Sequence, residues 1–312
     1  MSEKQKGYLL VVLSGLFWAT TGLFANRLMI NNITPEQVAF IRLFLGFSIL
    51  FIYGAIKDRR LLRINKRIFI HCFMIGLICQ AGFNLCYFKA VETLGVSMAA
   101  ILLYTSPLFL AIMSKLVYKE NLGVKKIISL IICFIGSILA VTSTSLEGVS
   151  ISSTGIILGI LAAITYASMS IISKGILCEC SGITILIYGF LIGSILMIPI
   201  SKPWEIISHI DDTSTLMPIL GLGFISASGG YICYIKGISK GIDLSIAGIL
   251  ATGELIGSVI IGWVLLGESF SLINSLGIVL MIISGVISVI KLGNNKLETL
   301  YGDIELTIEQ ED

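Results

Sequence analysis

Apolar residues form ten long runs along the chain, each bounded by polar or charged residues. About 20 apolar residues, at 1.5 Å each, are needed to cross the hydrocarbon core of a bilayer. The pattern therefore predicts an all-α membrane protein with ten transmembrane helices and short connections. The predicted spans are 7–28, 35–56, 68–91, 96–118, 125–143, 154–174, 182–201, 216–237, 244–266 and 271–291.

The first half of this pattern recurs in the second half. Residues 7–52 align with 155–200 at an offset of 148, which pairs Trp18 with Tyr166. Spans three and four recur in spans eight and nine, where the matches are 87–90 with 234–237, 97–102 with 245–250, and Glu120 with Glu268. The chain therefore contains five spans, twice.

Because five is an odd number, the two repeats must have opposite orientations in the membrane. Inverted repeats of this kind are typical of alternating-access transporters, whose ligand site lies near the membrane midplane between the repeats. We predict a first repeat over 1–148 and a second over 149–291. Residues 292–312 then form an acidic cytoplasmic tail.

Charge orients the predicted bundle. Only 13% of the 312 residues are charged, against about 25% in soluble domains. All but four of the 21 Lys and Arg residues fall at the membrane side that holds both termini, and the four others are Arg27, Arg42, Lys89 and Lys202. The positive-inside rule makes that side cytoplasmic. We expect a multi-pass protein of the plasma membrane with both termini in the cytoplasm.

Several residues together match a known family pattern. They are the paired segments 87–100 and 234–248, Pro107, Arg42, and the glutamates Glu120 and Glu268, which each close an apolar run. On these residues the chain resembles, over 7–291, the EamA family of the drug/metabolite transporter superfamily. The resemblance implies a ten-helix transporter of two inverted five-helix repeats that exports or exchanges small metabolites such as amino acids. Members of the family often have proline where this chain has Leu255. The kink expected at Pro107 is then not repeated in span nine, unless Gly253 and Gly257 provide flexibility.

Glu254 is an acid near the middle of the ninth span. A charge there costs roughly 2.5–3.5 kcal/mol on insertion scales, so the side chain must face protein or a water-filled cavity. It is a candidate counter-ion for a substrate ammonium or a candidate proton-coupling group. The alternative is a structural tie to Arg42 or Lys89. Arg42 is itself a candidate ligand for a substrate carboxylate, or a structural cation.

Other polar and aromatic residues are candidates for the cavity walls. Gln80, Asn84 and Tyr87 share a helical face by their spacing of i, i+4 and i+7. The corresponding face of span eight has Ala227, Tyr231 and Tyr234. The other candidates lie in mid-span, and they are Trp18, Tyr166 and Tyr104 beside Pro107. Aromatic rings in such a cavity can attract cations, whereas the alternative for all of these residues is helix packing.

The positions of Glu120 and Glu268 in the sequence indicate a structural role. Each follows an apolar run, where a carboxylate suits the positive N-terminal end of the next helix. We therefore expect them to cap the helices that follow them in the chain.

The chain lacks the GxxxxGK[ST] loop of ATP-driven proteins and the HExxH motif of zinc metalloproteases. We expect no cofactor, no metal site and no nucleic-acid partner. The sequence favours a secondary transporter of a small polar metabolite such as an amino acid or amine, as a monomer or homodimer in the lipid bilayer. The alternatives are a non-transporting membrane sensor or scaffold and an intramembrane enzyme. The first predicts larger loops, and the second a catalytic pair at one depth.

Overall fold

A computed structural model gives the architecture of residues 2–141, 152–209, 213–265 and 271–290. These residues contain 10 helices that are long and apolar enough to cross a membrane. They are Glu3–Ile30 (α1), Pro35–Lys57 (α2), Lys66–Leu94 (α3), Met98–Tyr118 (α4), Val124–Val141 (α5), Ser153–Ile176 (α6), Gly182–Ser201 (α7), Ser214–Ile238 (α8), Leu244–Leu265 (α9) and Leu272–Val289 (α10). The predicted ten-helix fold is confirmed.

Short polar residues between the apolar runs determine where the helices begin. Thr34 accepts a hydrogen bond from the backbone of Gln37, whose side chain in turn binds the backbone of Thr34, and Pro35 occupies the first turn. Ser181 caps α7 in the second repeat. Such side chains satisfy backbone N–H groups that have no partner inside the helix, which keeps the connections between the spans short.

The two repeats, α1–α5 and α6–α10, pack as related units. α1 packs against α8 and α9, and correspondingly α6 packs against α3 and α4. The remaining helices pair with their own counterparts, α2 with α7 and α5 with α10. At the last crossing, a Cβ atom on Gly277 would lie 2.6 Å from the carbonyl oxygen of Gly136, so glycine is required for this approach.

Both repeats interrupt the same two helices. α3 contains a π-helical segment, Ile75–Gly82, and α8 contains Leu222–Gly230 at the matching position. The helix breaks at Tyr104 in α4 and at the matched Thr252 in α9. Interruption of α9 thus occurs without proline, and the kink at Pro107 has a counterpart. π-Segments and broken membrane helices are both features of functional sites.

The role expected for Glu120 was wrong in one respect. Glu120 does cap the N-terminus of a helix, but that helix is α9 rather than the following α5. The reason is that α9 of the second repeat begins beside the end of α4. Glu268 and the acidic tail 292–312 lie outside the described residues. The domain borders at 148 and 291 fall there too and stay predictions.

Candidate functional site

A cavity lies between the repeats at the level where α4 and α9 break. It contains about 750 Å³ of space between protein atoms, part of it continuous with solvent. Seven helices contribute its lining residues, which are Trp18, Arg42, Phe83, Leu103, Tyr104, Ser106, Pro107, Leu110, Tyr166, Ala167, Ser170, Tyr231, Tyr234, Gly248, Ala251, Thr252 and Glu254. Seven of the ten predicted site residues are in this set.

The break in α9 determines where Glu254 lies. Its second helical half, Gly253–Leu265, begins at the cavity, and Glu254 is in the first turn. A carboxylate is favoured there by the positive end of the helix dipole. Gly15 of α1 makes the close approach possible, because a Cβ atom on it would lie 3.0 Å from the backbone nitrogen of Glu254.

Two opposite charges face this cavity without pairing with each other. Glu254 and Arg42 interact electrostatically, yet within the described chain their charged atoms form no ion pair closer than 4.0 Å. The Nε atom of Arg42 is buried and has no hydrogen-bond partner among the described residues. Lys89, the other cation considered for Glu254, is instead exposed and paired with Glu92 at 2.6 Å. Among the described residues, the cavity therefore presents one acid and one cation that have no ion-pair partner.

Aromatic side chains form one wall beside these charges. The Trp18 ring lies 5.0 Å from the ring of Tyr231 and 5.2 Å from that of Tyr234. The hydroxyl of Tyr234 shares a 2.6 Å hydrogen bond with Ser170, and Phe190 packs edge-on behind Tyr231 at 4.9 Å. These contacts make the wall rigid, and rings held this way can accept a cation or an apolar substituent.

The hydroxyl groups of four tyrosines interact electrostatically with Glu254. These are Tyr87 on α3, Tyr104 at the break of α4, Tyr166 on α6 and Tyr231 on α8. The acid thus lies among phenol groups rather than among lipid chains. A phenol can donate a hydrogen bond to a carboxylate or to the polar group of a ligand.

The other three predicted residues are not among those that line the cavity. Asn84 is buried and donates to the backbone oxygen of Gln80 at 2.6 Å. Gln80 is buried beside Met169 and Tyr231, and Tyr87 stacks on Phe83. The π-segment Ile75–Gly82 changes the angular spacing along α3, so Gln80 does not share the face expected from α-helical periodicity.

Phe83, Ser170, Leu110 and Gly248 line the cavity but were not predicted as ligand-binding residues. Phe83 and Leu110 have no feature in the sequence that separates them from core residues. Nothing in the sequence singles out Ser170, and its significance comes only from the contact with Tyr234. Among the described residues, no group of three or more His, Cys, Asp or Glu side chains is arranged to hold a metal ion.

The cavity is closed at one end and open at the other. The C-terminal half of α4, Ser106–Tyr118, packs on the N-terminal half of α9, Leu244–Ala251. There a Cβ atom on Gly248 would lie 3.1 Å from Leu110. The symmetry-related halves, Val96–Leu103 and Gly253–Leu265, make no comparable contact within the described residues. The closed end faces the side where α1 begins, which we call the N-terminal face.

Comparisons with known proteins give a consistent result. A model of the EamA-like transporter family matches residues 5–142 and 153–290, one match for each repeat. The chain is 23% identical over 290 residues to the "Uncharacterized inner membrane transporter YicL" of Salmonella typhimurium, covering 92% of this chain and 96% of that protein. It is 25% identical over 277 residues to the "Uncharacterized transporter YwfM" of Bacillus subtilis, covering 88% and 90%.

A solved crystal structure has the same fold. It superimposes with a TM-score of 0.75 and covers 91% of this chain and 96% of its own, at 15% sequence identity. At that identity the match concerns the fold alone.

Proposed function

Because the chain belongs to the EamA-like transporter family, we propose that it moves a small zwitterion such as an amino acid across the plasma membrane by alternating access. The observation that carries this proposal is the unpaired couple of Arg42 and Glu254 in one cavity. An amino acid carries an ammonium group and a carboxylate, which complement these two side chains. A charge in a membrane-embedded cavity without an ion-pair partner is costly, so binding such a ligand removes a cost that the two side chains otherwise bear.

The aromatic wall supports the same class of substrate. Trp18, Tyr231 and Tyr234 offer ring faces and edges beside the charged couple. They can hold the ammonium group by cation–π attraction or pack against an apolar side chain. An amine without a carboxylate is the second candidate, since Glu254 and the rings would bind it while Arg42 would stay unpaired.

Two features favour export or exchange across the plasma membrane. The resemblance to the EamA family implies an exporter or exchanger, and the concentration of Lys and Arg on the N-terminal face favours a cytoplasmic position for that face. In this orientation the cavity opens outward. Rocking of the two inverted repeats would then expose the same site to the cytoplasm.

The first experiment is a thermal-shift screen of the purified protein against the L-amino acids, simple amines and simple carboxylates. We expect an amino acid to stabilise the protein, and the stabilisation to be lost in both Glu254→Gln and Arg42→Gln. The expected loss of affinity is roughly 10- to 100-fold for each variant, the size of a hydrogen bond to a charged group. Glu92→Gln is the matched control, because Glu92 is exposed and lies outside the cavity.

Flux measurements in proteoliposomes test the transport step. Uptake of the stabilising amino acid is expected for the wild type and for Glu92→Gln, and not for Glu254→Gln. A ligand that binds Arg42→Gln as tightly as the wild type would replace the zwitterion by an amine. Binding without flux in the wild type would favour a sensor over a transporter.

A further inference from the structure

The carboxylate of Glu120 is buried between helices of both repeats. It accepts hydrogen bonds from the backbone N–H groups of Leu244 at 2.9 Å and Ser245 at 3.3 Å, at the start of α9. The hydroxyl of Ser245 donates to it as well, and so does the hydroxyl of Ser114 from α4. The Glu120 side chain is only 6% exposed.

Lys126 of α5 completes this cluster. Its ammonium group lies 3.1 Å from Glu120 and 2.7 Å from Asp243, and its side chain is 16% exposed. Burial by itself would raise the pKa of Glu120. The hydrogen bonds from Ser114 and Ser245 and the charge of Lys126 outweigh it and hold that pKa below its ordinary value. Glu120 is therefore ionised and fully engaged near neutral pH.

The cluster lies at the closed end of the cavity. Glu120 follows the C-terminal half of α4, and Ser245 opens the N-terminal half of α9. These are the two halves that pack together through Leu110 and Gly248. Opening the cavity toward the N-terminal face requires them to separate, and they cannot separate while Glu120 binds the start of α9.

We propose that Glu120, with Ser114, Lys126 and Ser245, is the latch that holds the gate on the N-terminal face closed and is released in each transport cycle. The inference rests on the alternating access proposed above. A charged latch suits a contact that must open. Separation would expose the carboxylate and the ammonium to water, which recovers the desolvation cost that they bear when buried. A purely apolar contact would instead expose apolar surface to water on opening, and no desolvation cost would be recovered.

Hydrogen–deuterium exchange of the purified protein tests the latch without any substrate. In Glu120→Gln, exchange is expected to become roughly tenfold faster or more at Leu244–Ala251, because backbone hydrogen bonds to a charged acceptor are lost. If the gate opens, the repeats rock and the opposite end closes. Exchange is then expected to become slower in Gly253–Leu265, on the far side of the cavity.

The reciprocal change separates a latch from a simple helix cap. Faster exchange at the start of α9 with no slowing in Gly253–Leu265 would overturn the proposal, since loss of a cap alone only frays the helix. Glu3→Gln is the matched control. It breaks the pair between Glu3 and Lys240, which also joins the repeats on this face but is exposed, so little change is expected.

Two further variants keep the test informative. Ser245→Ala removes one hydroxyl from the cluster and should give the same reciprocal change at smaller size, even if Glu120→Gln folds poorly. Glu120→Asp keeps the charge and should restore part of the wild-type pattern. Because no substrate enters the measurement, a negative result would overturn the latch alone. Failure of the amino-acid screen would overturn the proposed substrate and leave the exchange result standing.

Discussion

Two glutamates of this chain occupy opposite environments at the residue scale. Glu120 binds two backbone N–H groups, two hydroxyls and an ammonium group. Glu254 has none of these partners within the described residues and faces a cavity. A buried charge with a complete set of partners maintains structure, whereas one without them is available to a ligand. This contrast is the reason for assigning stability to one acid and substrate binding to the other.

The pKa of Glu120 leads to a prediction about stability. Since that pKa is lower in the folded protein than its ordinary value of 4.5, Glu120 stabilises the fold above pH 4.5. The stabilisation is lost as the pH falls through the lowered value. The wild type should therefore be more stable than Glu120→Gln at pH 7, by about 2 kcal/mol, and this difference should shrink below pH 4.5. Thermal unfolding at a series of pH values measures it. A difference that stays constant to the lowest pH would contradict the assignment.

The sequence predicted these two residues to different extents. An acid near the middle of an apolar run has few explanations, so Glu254 could be singled out from position alone. For Glu120 the type of contact could be predicted from the sequence but the partner could not. The partner residue Ser245 is 125 positions away, and only the packing of the two repeats brings it near.

Interrupted helices are the corresponding feature at the scale of the element. α4 and α9 break at matched positions, and the hydroxyls of Thr105 and Thr252 bind the backbone oxygens of Leu102 and Ile249, both at 2.6 Å. Proline accounts for the break in α4 only. In α9, glycine at 253 and a side-chain hydroxyl give the same result. Gly253 is one of the two glycines that the sequence left open as a source of flexibility here.

The break in α9 predicts that proline is tolerated at Leu255. This residue lies in the first turn of Gly253–Leu265, where it donates one backbone hydrogen bond to Thr252 at 2.9 Å. Measured against Leu255→Ala, which also removes the buried side chain, Leu255→Pro should therefore cost about 1 kcal/mol more, the value of one hydrogen bond. Measured against Val259→Ala, Val259→Pro in the interior of the same helical half should cost about 3 kcal/mol more. Thermal unfolding of the two variants decides the matter. Equal losses would show that α9 is continuous through Thr252.

The cavity-lining face predicted from α-helical periodicity was wrong in α3, which contains a π-helical segment. Gln80, Asn84 and Tyr87 share a face only in an ideal α-helix, and the π-segment in α3 removes that condition. The same segment in α8 ends at Gly230, before Tyr231 and Tyr234, so their relative spacing is α-helical. Both tyrosines line the cavity. Asn84 and Tyr87 keep the same spacing after the π-segment of α3 but do not line it, and no residue pattern in the sequence distinguishes the two cases.

At the scale of the whole molecule, the repeats are symmetric in sequence and asymmetric in packing. Repetition at a constant offset predicted ten helices in two units of five, because each unit retains the same order of apolar runs. It could not predict which end of the cavity is closed. Which end is closed depends on which helix halves of α4 and α9 are in contact, the pair that packs in this structure or the symmetry-related pair. If access alternates, the same sequence must be compatible with both arrangements.

The orientation of the protein in the membrane can be tested at Cys178. Cys178 follows α6, is exposed on the N-terminal face and is a free thiol. Its neighbour Glu179 pairs with Arg67 at 3.0 Å, which holds the loop near the start of α3. The positive-inside rule predicts that this loop lies in the cytoplasm. A membrane-impermeant maleimide should therefore label Cys178 in inside-out vesicles and not in intact cells, and Cys178→Ser should remove the label.

The same labelling experiment determines what the open end of the cavity faces. Cys178 and the Glu120 latch lie on one face, and the cavity opens to the other. Labelling from the cytoplasmic side alone would mean that the structure is open to the outside and that the latch is an inner gate. Labelling of Cys178 in intact cells would reverse the orientation, and the cavity would then open to the cytoplasm. In that case substrate would reach the cavity of this structure from the cytoplasm. Release of the Glu120 latch would then open the gate on the N-terminal face and release the substrate outside the cell.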